Sequence, residues 1–159
     1  MKTLVACFSA SGSTAKLAKT LAAAAEGELY EIRPAVPYEK RDLNWMDKKA
    51  RSTVEMQDKN CRPALADTAA PVAEADVIFL GFPIWWYREP SIIDSFLEAY
   101  DFSGKTVVPF FTSGGSQLGE GQARIEALAK GARVLSGKRF SARASECELK
   151  GWIDGLHLG

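Results

Sequence analysis

The chain has a single histidine, three cysteines and no excess of charge of either sign, and each shortage closes off a class of function. His157 stands next to the C-terminus, so a histidine metal site or a Ser-His-Asp triad has nothing to build on, and a solvated tail imidazole is expected. Cys7, Cys61 and Cys147 are odd in number, far apart and without a Cys-x-x-Cys pairing. That pattern fits a reducing compartment better than a disulfide framework, so the cytoplasm is the expected location. Lys plus Arg and Asp plus Glu each number 20, which leaves no basic excess to hold a nucleic acid backbone. Apolar runs are strand-sized, far below the roughly 20 residues of a membrane span. Lys2 followed by Leu4 to Phe8 is too short for the apolar region of a signal peptide. Neither nucleic acid nor a membrane is expected as a partner.

Several nucleotide and phosphate motifs are also missing. There is no Gly-x4-Gly-Lys-Ser/Thr, Gly12 stands alone, and Gly114 to Gly121 does not give the GxGxxG spacing, so P-loop and dinucleotide readings fail. Ser13 occupies the place where a Cys-x5-Arg phosphatase loop opened by Cys7 would need arginine, so Cys7 is expected to be an unreactive core thiol. Phe8-Ser9 at the end of the first apolar run carries no acidic cluster, which speaks against a receiver-type phosphoacceptor.

What is present is an ordinary globular composition, 47% hydrophobic and 25% charged, enough for one domain over residues 1–159. Leu4 to Phe8 is continuous and apolar, as expected of a central strand covered on both faces. Ser13 to Ala25 is helical, with Leu17 and Leu21 on one face. Glu28 to Ile32 alternates charged and apolar residues and suits a peripheral strand, ended by Pro34 and Pro37. From there to Pro71 the sequence is polar and weakly periodic. That stretch, which includes Asp42 to Ser52, is expected to hold a helix on the sheet and then an extended crossover. Strands over Val77–Phe82 and Thr106–Phe111 enclose a helix over Ser91–Ala99. A helix over Gln122–Lys130 stopped by Gly131, a short strand over Arg133–Leu135 and a closing helix over Glu146–Leu156 complete the pattern.

Three loops follow the apolar strands, and their chemistries complement one another. Ser9-Ala10-Ser11-Gly12-Ser13-Thr14 offers hydroxyls, a conformationally free glycine and a helix start, which favours an anion. Read alone, it is more readily a simple helix cap; its place after a central strand reverses that preference towards phosphate. Pro83-Ile84-Trp85-Trp86-Tyr87 puts large rings in a loop, where a flat ligand stacks for about 0.5–1.5 kcal/mol per aromatic pair. The competing reading packs Trp85 and Trp86 into the core or a subunit interface. Thr112-Ser113-Gly114-Gly115 lets backbone come close to a ring edge. Arg88 and Glu89 at the lip of the aromatic loop are expected as a solvated surface pair, with orientation of a substrate as the alternative. In an open parallel sheet, loops at the carboxyl ends of the strands meet in one crevice, so the ligand carries both a phosphate and an aromatic system. FMN has that form.

On these three loops, Ser-x-Ser-Gly-Ser-Thr, Gly-Phe-Pro-Ile-Trp-Trp-Tyr and Pro-Phe-Phe-Thr-Ser-Gly-Gly-Ser, the chain resembles the flavodoxin-like FMN proteins, in particular the bacterial branch with a Trp-Trp flavin loop. The resemblance runs from Met1 through Gly121 and on towards the C-terminus. It implies a three-layer, doubly wound α/β sandwich with a five-stranded parallel sheet in the order 2-1-3-4-5. It also implies phosphate held by Ser9, Ser11, Gly12, Ser13, Thr14 and the Ala10 backbone, with the isoalloxazine between Pro83 to Tyr87 and Thr112 to Gly115. Two departures point away from the electron-carrier flavodoxins. Carriers tend to be strongly acidic, and their glycine loop usually bears a stacking tyrosine where this chain has Ser113-Gly114-Gly115. The expected function is therefore an FMN oxidoreductase moving electrons from a reduced donor, such as NAD(P)H, to a small acceptor such as a quinone. A non-enzymatic carrier serving a redox protein is the alternative, and the chain is expected as a monomer or homodimer.

Overall fold

The computed structural model describes residues 1–44, 46–86, 88–113 and 117–158. Among the described residues six strands and five α-helices follow one another as β1 (Thr3–Cys7), α1 (Ser13–Ala25), β2 (Glu28–Glu31), α2 (Arg51–Gln57), β3 (Val77–Pro83), α3 (Ser91–Ala99), β4 (Thr106–Thr112), α4 (Gly121–Leu128), β5 (Arg133–Val134), β6 (Lys138–Arg139) and α5 (Glu146–Gly155). All the ladders are parallel, in the order β2-β1-β3-β4-β5, with β6 also on β4. This is the doubly wound arrangement, and the strand order reverses between β1 and β3.

The apolar runs are central because both of their faces are covered. In β1, Leu4 and Ala6 look into a core shared with Ile78, Leu80 and Phe82 of β3 and Ile92, Ile93 and Phe96 of α3. Val5 and Cys7 look the other way, onto Leu17 and Leu21 of α1, Phe110 and Leu149 of α5. Helices therefore cover both sides of the sheet. The alternating β2 lies at the edge and is mostly exposed. Cys7 is buried, and burial, helped by the charge of Glu31, pushes its thiol up to about 12, so it is an inert core group. His157 is exposed.

The fifth strand position is filled in two pieces. Val107 pairs with Val134 and Phe110 with Lys138. Val107 and Phe111 turn their carbonyls to this strand, accepting from Leu135 N and Phe140 N at 2.9 Å each. Pro109 lies between them in the same phase, so the position it presents there has no N–H, and the ladder breaks. The expected short strand over Arg133–Leu135 is present as β5, and β6 is the piece added to it.

The segment after β2 departs from expectation as well. A 3-10 turn spans Lys40–Leu43, and the helix of this stretch forms only at Arg51–Gln57, starting at the end of Asp42 to Ser52. Asn44 and Asp47 explain the delay: their side chains accept from Met46 N at 3.2 Å and Lys49 N at 2.9 Å, local turns that compete with a helix. Among the described residues no helix is long and apolar enough to cross a membrane.

Candidate functional site

The loop after β1 is an open helix start. Gly12 precedes α1 with φ +95, a left-handed value that only glycine takes without strain, and a Cβ there would meet nothing within 4 Å. Among the described residues no side-chain oxygen caps α1 and no acid stands in its first turn, so its first N–H groups and its dipole favour an anion. The Ser9 hydroxyl accepts from Gly12 N at 3.0 Å and so shapes the loop itself. Ser11 and Ser13 remain exposed, and Ala10 is half-buried. Thr14 is 1% exposed, and its hydroxyl shares a 2.8 Å hydrogen bond with that of Thr112. The first and third loops are thus joined side chain to side chain, a link across 98 residues for which no local pattern gives a signal.

The aromatic loop grows directly out of β3. Ile84 N donates to Thr112 O at 3.0 Å, and Trp85 and Arg88 exchange backbone hydrogen bonds of 3.0 and 3.2 Å across a tight turn. Trp85 is half-buried, edge-on to Phe8 with ring centroids 5.7 Å apart and to Tyr38 at 5.5 Å. The Arg51 guanidinium lies 4.0 Å over the other aromatic partner, Tyr38, whose hydroxyl bonds to Glu55. Phe8 and Tyr38 are therefore supports of this loop that motif reading had missed.

Trp86 differs from its neighbour. It is 41% exposed and holds φ +48, a backbone position that bulky residues rarely take. Strain of that kind persists where the surroundings over-determine it, which marks ligand-contacting turns. Of the residues expected at the site, Ser9 to Thr14, Pro83 to Trp86, Thr112 and Ser113 gather at the carboxyl edge of β1, β3 and β4. Tyr87, Gly114 and Gly115 lie outside the described residues. A cavity of about 410 Å³ opens beside this crevice, between the ends of β1 and β2, lined by Phe8, Ser9, Ala10, Arg33, Tyr38 and Asp67 among others.

Arg88 and Glu89 are not the solvated pair that was expected. They are 2% and 0% exposed, and they form a buried cluster with Asp94 and Arg124. The partners come from helices α3 and α4, so nothing within the loop itself announces the burial. Among the described residues no group of three His, Cys, Asp or Glu side chains is placed to hold a metal ion.

A doubly wound sheet whose switch point carries an anion-ready helix start beside an exposed ring defines an α/β protein for a phosphate-bearing planar ligand. The flavodoxin family profile matches residues 2–156, and the chain belongs to the flavodoxin family. It is similar to a protein assigned as a flavoprotein from Bacteroides eggerthii DSM 20697, at 42% identity over 98% of this chain and 97% of that one, with a TM-score of 0.91. A second, from Bacteroides uniformis ATCC 8492, is 46% identical over 96% and 97% of the two chains, with a TM-score of 0.90. A flavoprotein from Lactobacillus acidophilus NCFM, solved in complex with FMN, shares the fold at 23% identity and a TM-score of 0.70 over 96% and 98%. No curated protein matches the chain.

Proposed function

We propose that this protein is an FMN-dependent oxidoreductase that passes electrons from a reduced donor, NAD(P)H, to a small acceptor such as a quinone. The observation that carries the reading is the meeting, in one crevice, of the uncapped α1 start with the exposed, left-handed Trp86. A phosphate suits the first and a planar ring the second, and FMN joins the two. Membership of the flavodoxin family supports the same cofactor.

The residues present fit that group. The Ser11 and Ser13 hydroxyls and the first N–H groups of α1 would hold the phosphate in the open space above Gly12, with the Ala10 backbone beside them. Ser9 keeps the loop in shape, and Thr14 fixes it to Thr112. The ring would lie against Pro83 to Tyr87 and be flanked by Thr112 to Gly115. Bound FMN supplies the redox chemistry, while the protein binds and orients it and excludes water from one ring face.

Two features favour turnover of a small molecule over service as a carrier. The chain is formally neutral, without the acidic field that steers a carrier to basic partners, and Ser113 stands where carriers place a stacking tyrosine. Free cysteines at 7, 61 and 147 suit the cytoplasm. The FMN-loaded protein is expected to lose its visible flavin absorbance on anaerobic addition of NADH or NADPH and to regain it with a quinone. Absorbance that ignores both nicotinamides contradicts the reductase and leaves the carrier reading in its place.

A further inference from the structure

Four charged side chains from the aromatic loop, α3 and α4 meet in one cluster: Arg88, Glu89 and Asp94, all buried, and the half-buried Arg124. Arg88 Nη1 lies 3.5 Å from Asp94 Oδ2. Arg124 donates from Nε to Glu89 Oε1 at 2.9 Å and from Nη2 to Asp94 Oδ2 at 2.6 Å. Arg62 approaches the same Asp94 oxygen at 3.8 Å. These three cations thus converge on Oε1 and Oδ2. Glu89 Oε2 and Asp94 Oδ1 are buried and have no hydrogen-bond partner. A buried carboxylate oxygen without a donor is costly, and the one Arg124 guanidinium, donating to both groups, holds the two carboxyls beside each other. One proton held between them relieves both the orphaned oxygens and the like-charge contact.

The cluster also joins the aromatic loop to helix α4. Arg88 closes the aromatic turn through its backbone bonds to Trp85, and its Nη2 reaches Met56 O at 3.2 Å and Ser91 Oγ at 3.3 Å. Arg124 belongs to the helix that follows the glycine loop. Gly121 opens that helix, and a Cβ there would stand 2.7 Å from Glu89 Oε2, so the carboxyl rests directly on the first turn of α4.

We propose that Glu89 and Asp94 share one proton and, clamped by Arg88 and Arg124, act as positioning residues that lock the aromatic loop to the helix after the glycine loop, so that FMN affinity depends on that proton. The proposal rests on the FMN reading above. The groups facing the pair are Arg88 from the loop, Arg124 from α4 and Arg62 from the crossover, while the Lys59–Glu120 pair lies beyond Arg124 and Cys61 lies on the side of Arg62 and Arg88. Burial, then the hydrogen bond and charge of Asp94, push the Glu89 carboxyl up to about 8. A carboxyl raised in the folded state stabilises that state in full below its ordinary value of 4.5, and the contribution is lost as pH rises to about 8. Above that, two carboxylates in contact repel, and Glu89 loosens from Gly121.

The test measures FMN affinity by flavin fluorescence at about pH 6.5 and about pH 9 for the wild type, Glu89→Gln and Arg124→Met, with thermal unfolding of each apoprotein alongside. The wild type is expected to bind about 10-fold more weakly at the higher pH. Glu89→Gln, which keeps the shape of the protonated acid, is expected to bind as the wild type does at the lower pH and to hold that affinity at the higher. Arg124→Met is expected to bind weakly at both. A wild-type affinity that ignores pH, or an equal loss in wild type and Glu89→Gln, overturns the proposal. Absence of FMN binding at either pH overturns the functional reading instead. The unfolding profiles then decide the cluster: a wild-type midpoint that falls towards high pH relative to Glu89→Gln supports the shared proton, and parallel profiles defeat it.

Discussion

Arg88→Met is expected to cost the fold about 3–5 kcal/mol, much of the 5–15 kcal/mol typical of a domain, measured as a lowered urea midpoint at unchanged slope. The guanidinium is 2% exposed and serves Asp94, Ser91 and the carbonyls of Met56 and Glu89 together. Methionine fills part of the volume but leaves those acceptors buried without their donor. Distance does not set the size of the effect. Arg41 and Glu39 stand closer, at 2.8 Å, yet their side chains are 84% and 64% exposed, so Arg41→Met is expected to change stability by no more than about 0.5 kcal/mol. Equal effects for the two substitutions would contradict this view of the buried cluster.

The second large effect concerns Trp86. Trp86→Ala and Trp86→Gly are both expected to weaken FMN binding about 10-fold, because a stacking ring and its apolar contact are lost. Their stabilities separate them. At φ +48 an alanine pays the left-handed penalty of roughly 1–2 kcal/mol, so the glycine variant is expected to be the more stable by about 1 kcal/mol, the reverse of the usual order. Denaturation of the two apoproteins checks the backbone, and titration with FMN checks the ring. An alanine variant as stable as the glycine variant removes the strain argument, and affinity equal to wild type removes Trp86 from the site.

Local chemistry made much of this molecule readable before its structure. Helix α3 falls on Ser91–Ala99 as the apolar spacing of Ile92, Ile93, Phe96 and Leu97 predicts, and the uninterrupted runs in β1, β3 and β4 give the centre of the sheet. The Ser-rich loop and the Trp-Trp loop were legible because chain order alone places them at strand ends. What stayed hidden depends on partners distant in sequence. Arg88 and Glu89 look like surface residues until Asp94 and Arg124 fold over them. Nothing near Thr14 in sequence announces the hydrogen bond its hydroxyl shares with Thr112. Tyr38 sits in a segment without periodicity, and only the packed structure sets it against Trp85. The break at Pro109 was visible as a residue type but not as a phase, since nothing short of the ladder tells which neighbour its missing N–H faces.

The central claim is tested most directly by titrating FMN into the purified apoprotein and following flavin fluorescence and absorbance. The account predicts saturable uptake of one FMN per chain, with quenched fluorescence and a perturbed visible spectrum from the ring against the aromatic loop. A protein that takes up no FMN, or one whose bound flavin keeps the spectrum and fluorescence it has in water, would contradict it.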